Sequence, residues 1–162
     1  MITLIGDDVT YSKASSLQLY LFGLEFSDSL VLITRNNFYF MASAKKCAYL
    51  QEYLLNKHDT IKIHIYIRSK DEGLNREYFN ELANIVRKNN GIRLGSLYKQ
   101  QYEGSFVSTW FNFVEQSQLD KVDITQAVSY LLSVKDEKEL VSSRIISFLI
   151  LFINIHTYMS ML

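Results

Sequence analysis

The sequence predicts an α/β fold in which a mixed β-sheet is flanked by helices on both faces. Short β-branched or aromatic runs alternate with segments of helical spacing along the chain, a pattern typical of layered α/β domains. Two of those runs are separated by only three residues, which indicates a hairpin and hence an antiparallel pair within the sheet. A chain of 162 residues that is 48% hydrophobic is long and apolar enough to bury one such core.

The first third of the chain predicts three strands and two helices: strand 2–5, helix 12–22, hairpin strands 29–34 and 38–41, and helix 44–56. We expect the first helix to place Leu17, Tyr20 and Leu21 on one side and to end at Gly23, because glycine suits a left-handed C-cap. The hairpin turn contains Asn36 and Asn37, and asparagine tolerates positive φ.

The rest of the chain continues the alternation with strand 61–67, helix 75–88, strand 91–95, helix 104–116, strand 121–123 and helix 124–132. Strand 61–67 alternates strictly, so its four isoleucines face one way. Helical spacing predicts that five side chains of helix 75–88 and its edge point inward, namely Leu74, Tyr78, Leu82, Ile85 and Val86.

Two acidic residues are predicted to start helices. Asp123 can cap the helix at 124–132, with Gln126 as its reciprocal partner. Asp136 with Glu139 repeats that signal for a last helix that begins near Glu137. We therefore predict an α/β lobe over residues 1–133, a charged junction over 134–144 and a separate tail over 145–162.

Charge and cysteine content exclude several classes of protein. Lys+Arg and Asp+Glu are 17 each, so the formal net charge is zero, which argues against binding nucleic acid through bulk positive charge. The single cysteine, Cys47, cannot form an internal disulfide, and this favours a reducing compartment such as the cytosol or nucleus. The N-terminus has no basic segment before its apolar run, and Asp7 and Asp8 interrupt that run, so it does not resemble a secretory signal.

Catalytic motifs are missing from the sequence. No glycine-rich phosphate loop or GxSxG elbow occurs, and Cys47 has no histidine beside it. The three histidines, His58, His64 and His156, lack the spacing of a zinc site, and His64 lies on the polar phase of its strand. We therefore assign no catalytic, cofactor-binding or metal-binding residue.

A few features allow both a structural and a functional interpretation. Asp7-Asp8 fits a turn better than a metal or catalytic site, because aspartate satisfies loop amides. The basic pairs Lys45-Lys46 and Arg87-Lys88 are expected to be solvated, with contact to an acidic partner as the alternative. The stripe of Phe106, Trp110, Phe113 and Val114 is expected to be core packing rather than a ligand site.

One stretch is specific enough to suggest a family. Residues 104–115, GSFVSTWFNFVE, and 120–140, DKVDITQAVSYLLSVKDEKEL, resemble the N-terminal domain of the large subunit of the FACT histone chaperone. The positions that match the family pattern are Gly104, Phe106, Trp110, Asp120, Lys121, Asp123, Ile124, Val134, Lys135, Asp136, Glu139 and Leu140. The block from Leu17 to Leu50 resembles the same family, so the resemblance covers nearly all of residues 1–144.

The resemblance implies the N-terminal lobe of a creatinase or aminopeptidase P-like fold, whose larger pita-bread lobe is absent from this chain. In the related enzymes that second lobe carries the metal-binding residues. The resemblance therefore implies a chain without enzymatic activity or cofactor, with nuclear and chromosomal localisation. Its implied partners are histones, the second FACT subunit and replication factors, through the full-length protein, and it leaves the histone-binding residues unknown.

The apolar tail departs from the family pattern. Its last eighteen residues carry no Asp, Glu, Lys or Arg, and as a helix they would span about 27 Å, the short end for crossing a bilayer. We expect one of three explanations for the tail. It belongs to an incomplete gene product, it packs on the lobe, or it anchors the protein in a membrane. The resemblance implies a leading hypothesis, a non-catalytic protein-interaction module for nucleosome reorganisation in transcription, replication and repair. Two further hypotheses remain beside it: the substrate-recognition lobe of a creatinase-like metallopeptidase that lacks its catalytic lobe, and a small tail-anchored protein.

Overall fold

The computed structural model describes residues 2–6, 12–55, 61–97, 104–135, 137, 140, 141, 146 and 147, with the backbone alone at 2–6, 55 and 90. It divides the chain into two compact units, Met1–Ser129 and Tyr130–Leu162. Several predictions fall outside the described residues: Asp7-Asp8, His58, His156, Asp136 with Glu139, and most of the tail. Within the described part, no helix combines the length and hydropathy needed to cross a membrane.

Within the described ranges, six strands and five helices follow one another in the predicted order. The strands are β1 (Ile2–Gly6), β2 (Ser29–Ile33), β3 (Asn37–Ala42), β4 (Lys62–Ile67), β5 (Arg93–Ser96) and β6 (Asp120–Asp123). The helices are α1 (Lys13–Phe22), α2 (Ala44–Leu55), α3 (Glu72–Asn90), α4 (Ser105–Gln116) and α5 (Thr125–Ser133).

The strands form one mixed sheet in the order β4-β3-β2-β1-β5-β6. The two antiparallel pairs are β1 with β2 and β2 with β3. The other three pairs are parallel: β3 with β4, β1 with β5, and β5 with β6. The parallel strands therefore end at the same edge of the sheet at which the antiparallel β2 begins.

Helices cover both faces of the sheet, as the sequence predicts. One face carries Leu30, Leu32, Tyr39 and Met41, which pack with the buried residues of α3 and α4 in one core cluster. The register pairs Leu30 with Met41, so the neighbouring side chains of β2 and β3 point to the opposite face. There Phe38 meets Phe22 of α1 at 5.4 Å between ring centroids. We name these surfaces the α3–α4 face and the α1–α2 face.

The hairpin prediction is confirmed, but its physical basis is different. Among the described residues, positive φ outside glycine occurs at Asp28 and Gln118, and not at the turn asparagines. The turn is closed by Thr34 instead. Its hydroxyl donates to the carbonyl of Asn37 at 3.1 Å and accepts from the N–H of Asn37 at 3.0 Å.

Two side chains that were predicted to face inward are exposed. Tyr20 of α1 is 45% exposed, because the inward side of that helix consists of Ala14, Leu17, Gln18 and Phe22. Leu74 of α3 is exposed, whereas Phe79 and Ala83, which the spacing missed, are buried. Ile61, which precedes β4, and Ile67, which ends it, are about half exposed because β4 is an edge strand, and this exposure does not contradict the prediction that the four isoleucines face one way.

Some predicted boundaries also shift. Helix α3 begins three residues earlier than expected, because the Asp71 carboxylate accepts from the Gly73 N–H at 2.8 Å and caps it. Gly91 ends that helix at φ 65 instead of opening the next strand, which begins at Arg93. Asp123 caps the start of α5 through the N–H of Thr125 at 2.9 Å.

A buried hydrogen-bond network centred on Gln18 holds the loop between α1 and β2. Gln18 is fully buried, and its carboxamide oxygen accepts from the Phe26 N–H at 2.7 Å. Its amide nitrogen donates to the Ser29 hydroxyl at 3.3 Å, and that hydroxyl donates to the Phe26 carbonyl at 2.6 Å. The buried Gln18 carboxamide, the Ser29 hydroxyl and the backbone groups of Phe26 are thus hydrogen-bonded to one another, as buried polar groups generally are.

Candidate functional site

A cavity of about 400 Å³ opens where β3 and β4 end. Ser43 follows β3 and Arg68 follows β4, and both line the cavity together with the first turns of α3 and α4. Parallel strands bring their carboxyl ends to one edge, which is where open α/β sheets commonly bind ligands. The topology therefore creates this cavity from segments that are far apart in the sequence.

Arg68 links three segments at the mouth of this cavity. Its guanidinium forms an ion pair with the Asp28 carboxylate and lies 4.9 Å from the centroid of the Phe106 ring. Asp28 precedes β2 and has φ 50, a left-handed conformation that aspartate tolerates. The arrangement ties the start of β2 to the end of β4 and the first turn of α4.

Asp28 also compensates the positive end of α4. That helix has no side-chain N-cap, and a Cβ placed on Gly104 would lie 3.5 Å from Oδ1 of Asp28. The carboxylate therefore lies near the unpaired N–H groups of the first turn, where a negative charge is favourable. Since Asp28 supplies that charge, the helix end does not require an external anion.

The loop between β4 and α3 is held by Asn75. Its carboxamide oxygen accepts from the Ser69 N–H and its amide nitrogen donates to the Ser69 carbonyl, both at 2.9 Å. The Ser69 hydroxyl in turn accepts from the Asp71 N–H at 3.0 Å. This wall of the cavity is therefore preorganised by local hydrogen bonds.

A second cavity of about 300 Å³ adjoins the first along α3 and α4. The two share Glu72, Phe79 and Thr109, so together they form one channel that we name the α3–α4 groove. Its floor contains the buried rings of Phe79, Phe106 and Phe113. Its rim is polar, with Arg76 of α3 donating across the groove to Gln116 of α4 at 3.5 Å.

The aromatic stripe of α4 is core packing, as expected. Phe106, Trp110, Phe113 and Val114 are all at most 7% exposed. The Trp110 ring centroid lies 5.1 Å from that of Phe79, in edge-to-face geometry. Of these four residues, only Phe106 and Phe113 reach the lining of the groove.

In each predicted basic pair, one residue is exposed to solvent and the other is hydrogen-bonded to the protein. Lys45 and Lys88 are exposed, as expected. Lys46 instead donates to the carbonyl of Ser27 and lies 3.1 Å from its hydroxyl, and Arg87 donates to the Ser117 carbonyl at 2.9 Å. One member of each pair is thus held by the protein itself.

His64 and the single cysteine form no reactive constellation. His64 is exposed as predicted, and its ring stacks on Tyr39 at 4.7 Å with Nε2 3.2 Å from Oδ1 of Asn37. Cys47 is 1% exposed, and burial raises the pKa of its thiol. No group of three or more His, Cys, Asp or Glu side chains suited to a metal was found in the described part of the chain.

We expect the Cys47 thiol to react with Ellman's reagent on the order of 100-fold more slowly in the native chain than in urea at pH 8. Burial excludes the reagent and disfavours the thiolate. Folding raises the pKa of the Cys47 thiol, so the buried neutral thiol contributes fully to the stability of the folded chain below the unfolded pKa near 8.5. This contribution decreases as the pH rises above that value. Equal rates with and without urea would contradict the buried position.

Comparison with known proteins gives a consistent result. Residues 1–127 match the family model described as the FACT complex subunit SPT16 N-terminal lobe domain. The chain is 32% identical over 142 residues to FACT complex subunit SPT16 of Yarrowia lipolytica, which covers 88% of this chain and 14% of that protein. It thus spans about a seventh of the length of this relative.

Solved structures share the fold. The N-terminal domain of FACT complex subunit SPT16 from Eremothecium gossypii superposes with a TM-score of 0.72 at 30% identity, covering 86% of this chain and 34% of that one. An X-Pro aminopeptidase from Thermotoga maritima superposes with a TM-score of 0.58 at 14% identity, covering 86% and 34%. The second likeness concerns the fold alone.

Proposed function

The chain belongs to the FACT complex subunit SPT16 N-terminal lobe family, and from that premise we propose that it acts as the non-catalytic lobe of a FACT-type histone chaperone subunit. The observation that carries the proposal is the family match over residues 1–127. The curated relative and the solved neighbour at 30% identity, both named as FACT subunit SPT16, support it independently. The metallopeptidase alternative rests on fold likeness at 14% identity and is not favoured.

In this proposal the lobe is a protein-interaction module without enzymatic activity. Its partners are histones and the second FACT subunit, with replication factors as further partners, all engaged through the longer protein. It acts in the nucleus, on chromosomes, where it takes part in nucleosome reorganisation. The boundaries proposed from the sequence, a lobe over 1–133 and a junction over 134–144 to a second lobe, fit this role.

We expect the full chain to bind histones H3–H4 saturably but weakly, with a Kd on the order of tens of micromolar at physiological salt. Histones are strongly basic, and the chain carries 17 positive and 17 negative residues, so it has no net charge for steering. Fluorescence anisotropy of labelled H3–H4 measures this. A nanomolar Kd would refute the electrostatic argument, and no binding at about 500 µM would refute the histone role.

The same preparation tests the peptidase alternative. Incubation with Xaa-Pro-Ala tripeptides and Mn²⁺ should give no more product than a blank without protein, while an aminopeptidase P run in parallel should cleave them. Turnover together with one bound metal per chain would overturn the non-catalytic proposal.

A further inference from the structure

Strand β4 leaves one edge of the sheet open. Among the described strands it lies at the end of the strand order, with β3 as its neighbour. The N–H groups of Lys62 and Arg68 donate to carbonyls of the β3 segment at 3.1 and 2.7 Å. Because backbone groups alternate in direction along a strand, those of Ile63, Ile65 and Ile67 point away from β3. Within the part of the chain that the structure describes, these outward groups have no hydrogen-bond partner.

The open edge carries a row of apolar side chains. The register pairs Phe38 with Ile63, so the isoleucines at alternate positions lie on the α1–α2 face with that ring. Ile61 and Ile67, at the two ends of the row, are 46% and 52% exposed. Edge strands are usually protected by proline, bulges or several charges, whereas β4 has no proline and Lys62 is its one charged residue. Such an edge is a template for the addition of another strand.

A second copy of β4 fits this edge by two-fold symmetry. An axis through His64 would set two copies antiparallel, with Ile61 opposite Ile67 and Ile63 opposite Ile65. These are the positions whose backbone groups face outward, so both pairs can exchange N–H···O=C bonds. The two half-exposed side chains, which lie at opposite ends of one strand, would then cover each other. The edge is therefore complementary to itself.

The charges beside the strand favour the same register. It sets Lys62 opposite Tyr66 of the second copy, and the Tyr66 hydroxyl donates to the Glu81 carboxylate at 2.7 Å. Glu81 has no ion pair among the described residues, so its carboxylate is available to the incoming ammonium group. A pairing centred on Ile65 would instead set Lys62 opposite Arg68, and like charges directly opposite each other are unfavourable.

We propose that two copies of this chain associate through antiparallel pairing of their β4 strands, with the two-fold axis at His64. The pairing joins two six-stranded sheets into one continuous sheet. A single strand pair buries less than the roughly 1,200 Å² of a stable interface, so the association is weak, with a Kd on the order of 100 µM. This inference does not depend on the proposed function.

Sedimentation velocity of the full chain from about 3 to 300 µM measures the association. Ile67→Lys should weaken it at least tenfold, because a charge replaces the apolar contact between Ile67 and Ile61. The matched control is Ile92→Lys, an isoleucine between α3 and β5 that is 55% exposed, and it should change the Kd by less than about twofold. Both variants keep the rest of the chain, so association through any other segment is common to them.

Cysteine cross-linking tests the register. His64→Cys should give a disulfide-linked dimer under mild oxidation, because residues on the axis face each other at a Cα separation of about 4.5 Å. The matched control is Lys62→Cys, exposed on the same side of the strand. Its two copies would lie four residues apart along the paired strands, roughly 13 Å, which is too far for a disulfide. Cys47 is 1% exposed and does not compete.

Three results would overturn the inference. A chain that stays monomeric at about 300 µM would leave this edge to a strand of another protein. Equal losses for Ile67→Lys and Ile92→Lys would place the contact between copies on another surface. Equal cross-linking of His64→Cys and Lys62→Cys would exclude the pairing centred on His64.

Discussion

Replacing Phe79 by alanine should lower the free energy of unfolding by about 3–5 kcal/mol, the largest effect expected in this chain. Phe79 is 1% exposed and lies at the centre of the aromatic cluster on the α3–α4 face. Its ring centroid is 5.1 Å from that of Trp110, 5.5 Å from Phe113 and 5.8 Å from Phe106. Removing the ring leaves a cavity lined by three aromatic side chains that cannot collapse without moving α4.

Urea denaturation followed by tryptophan fluorescence measures this loss, because Trp110 contacts the site of substitution. The matched control is Leu74→Ala on the same helix, where the side chain is 37% exposed, and it should cost less than about 1 kcal/mol. The spacing of the sequence predicts the opposite, since it places Leu74 inward. A larger loss for Leu74→Ala than for Phe79→Ala would mean that the orientation of α3 is wrong.

The error over α3 has a local cause. The segment from Ser69 to Gly73 has the composition of a loop, so the helix was expected to begin after it. In the structure, Asp71 caps a helix that contains Gly73 in its first turn. The helix thus begins at Glu72, three residues before the predicted start. The spacing identifies Leu82 and Val86 correctly as buried and misses Phe79 and Ala83 beside them. Spacing alone identifies the helix, but the N-cap geometry is needed to fix its boundary.

The fold class and the family were predictable from the sequence because both depend on local patterns. Strand and helix periodicity, the hairpin spacing and the block from Gly104 to Trp110 are all visible in short windows. Burial along β4 was not predictable, since an alternating strand has the same pattern at the edge of a sheet as at its centre. Only the strand order explains why Ile61 and Ile67 are exposed.

The candidate site could not be predicted from the sequence, because its residues come together only in the folded sheet. Asp28 and Arg68 are forty residues apart, and no motif connects them. They meet because β2 begins at the edge where the parallel strands β3 and β4 end.

Gln18→Leu should cost about 2–4 kcal/mol, although leucine is the more apolar residue and the position is fully buried. The substitution keeps the approximate volume but removes the acceptor of the Phe26 N–H, bonded at 2.7 Å, and the donor to the Ser29 hydroxyl. A buried N–H without a partner costs about 1–3 kcal/mol, more than leucine gains from losing a polar group that was already satisfied.

Two measurements separate this polar effect from simple mispacking. Urea denaturation gives the loss of stability, with Ser16→Ala as the control, because Ser16 is an exposed residue of the same helix and should change it by less than about 0.5 kcal/mol. Amide hydrogen exchange should show that the Phe26 N–H loses protection in Gln18→Leu before the strands do. The loop is expected to open locally once the hydrogen bonds of Gln18 are removed. Unchanged stability with full protection at Phe26 would mean that packing of Phe26 against Phe22 and Phe40, at 6.0 and 5.2 Å, holds the loop without Gln18.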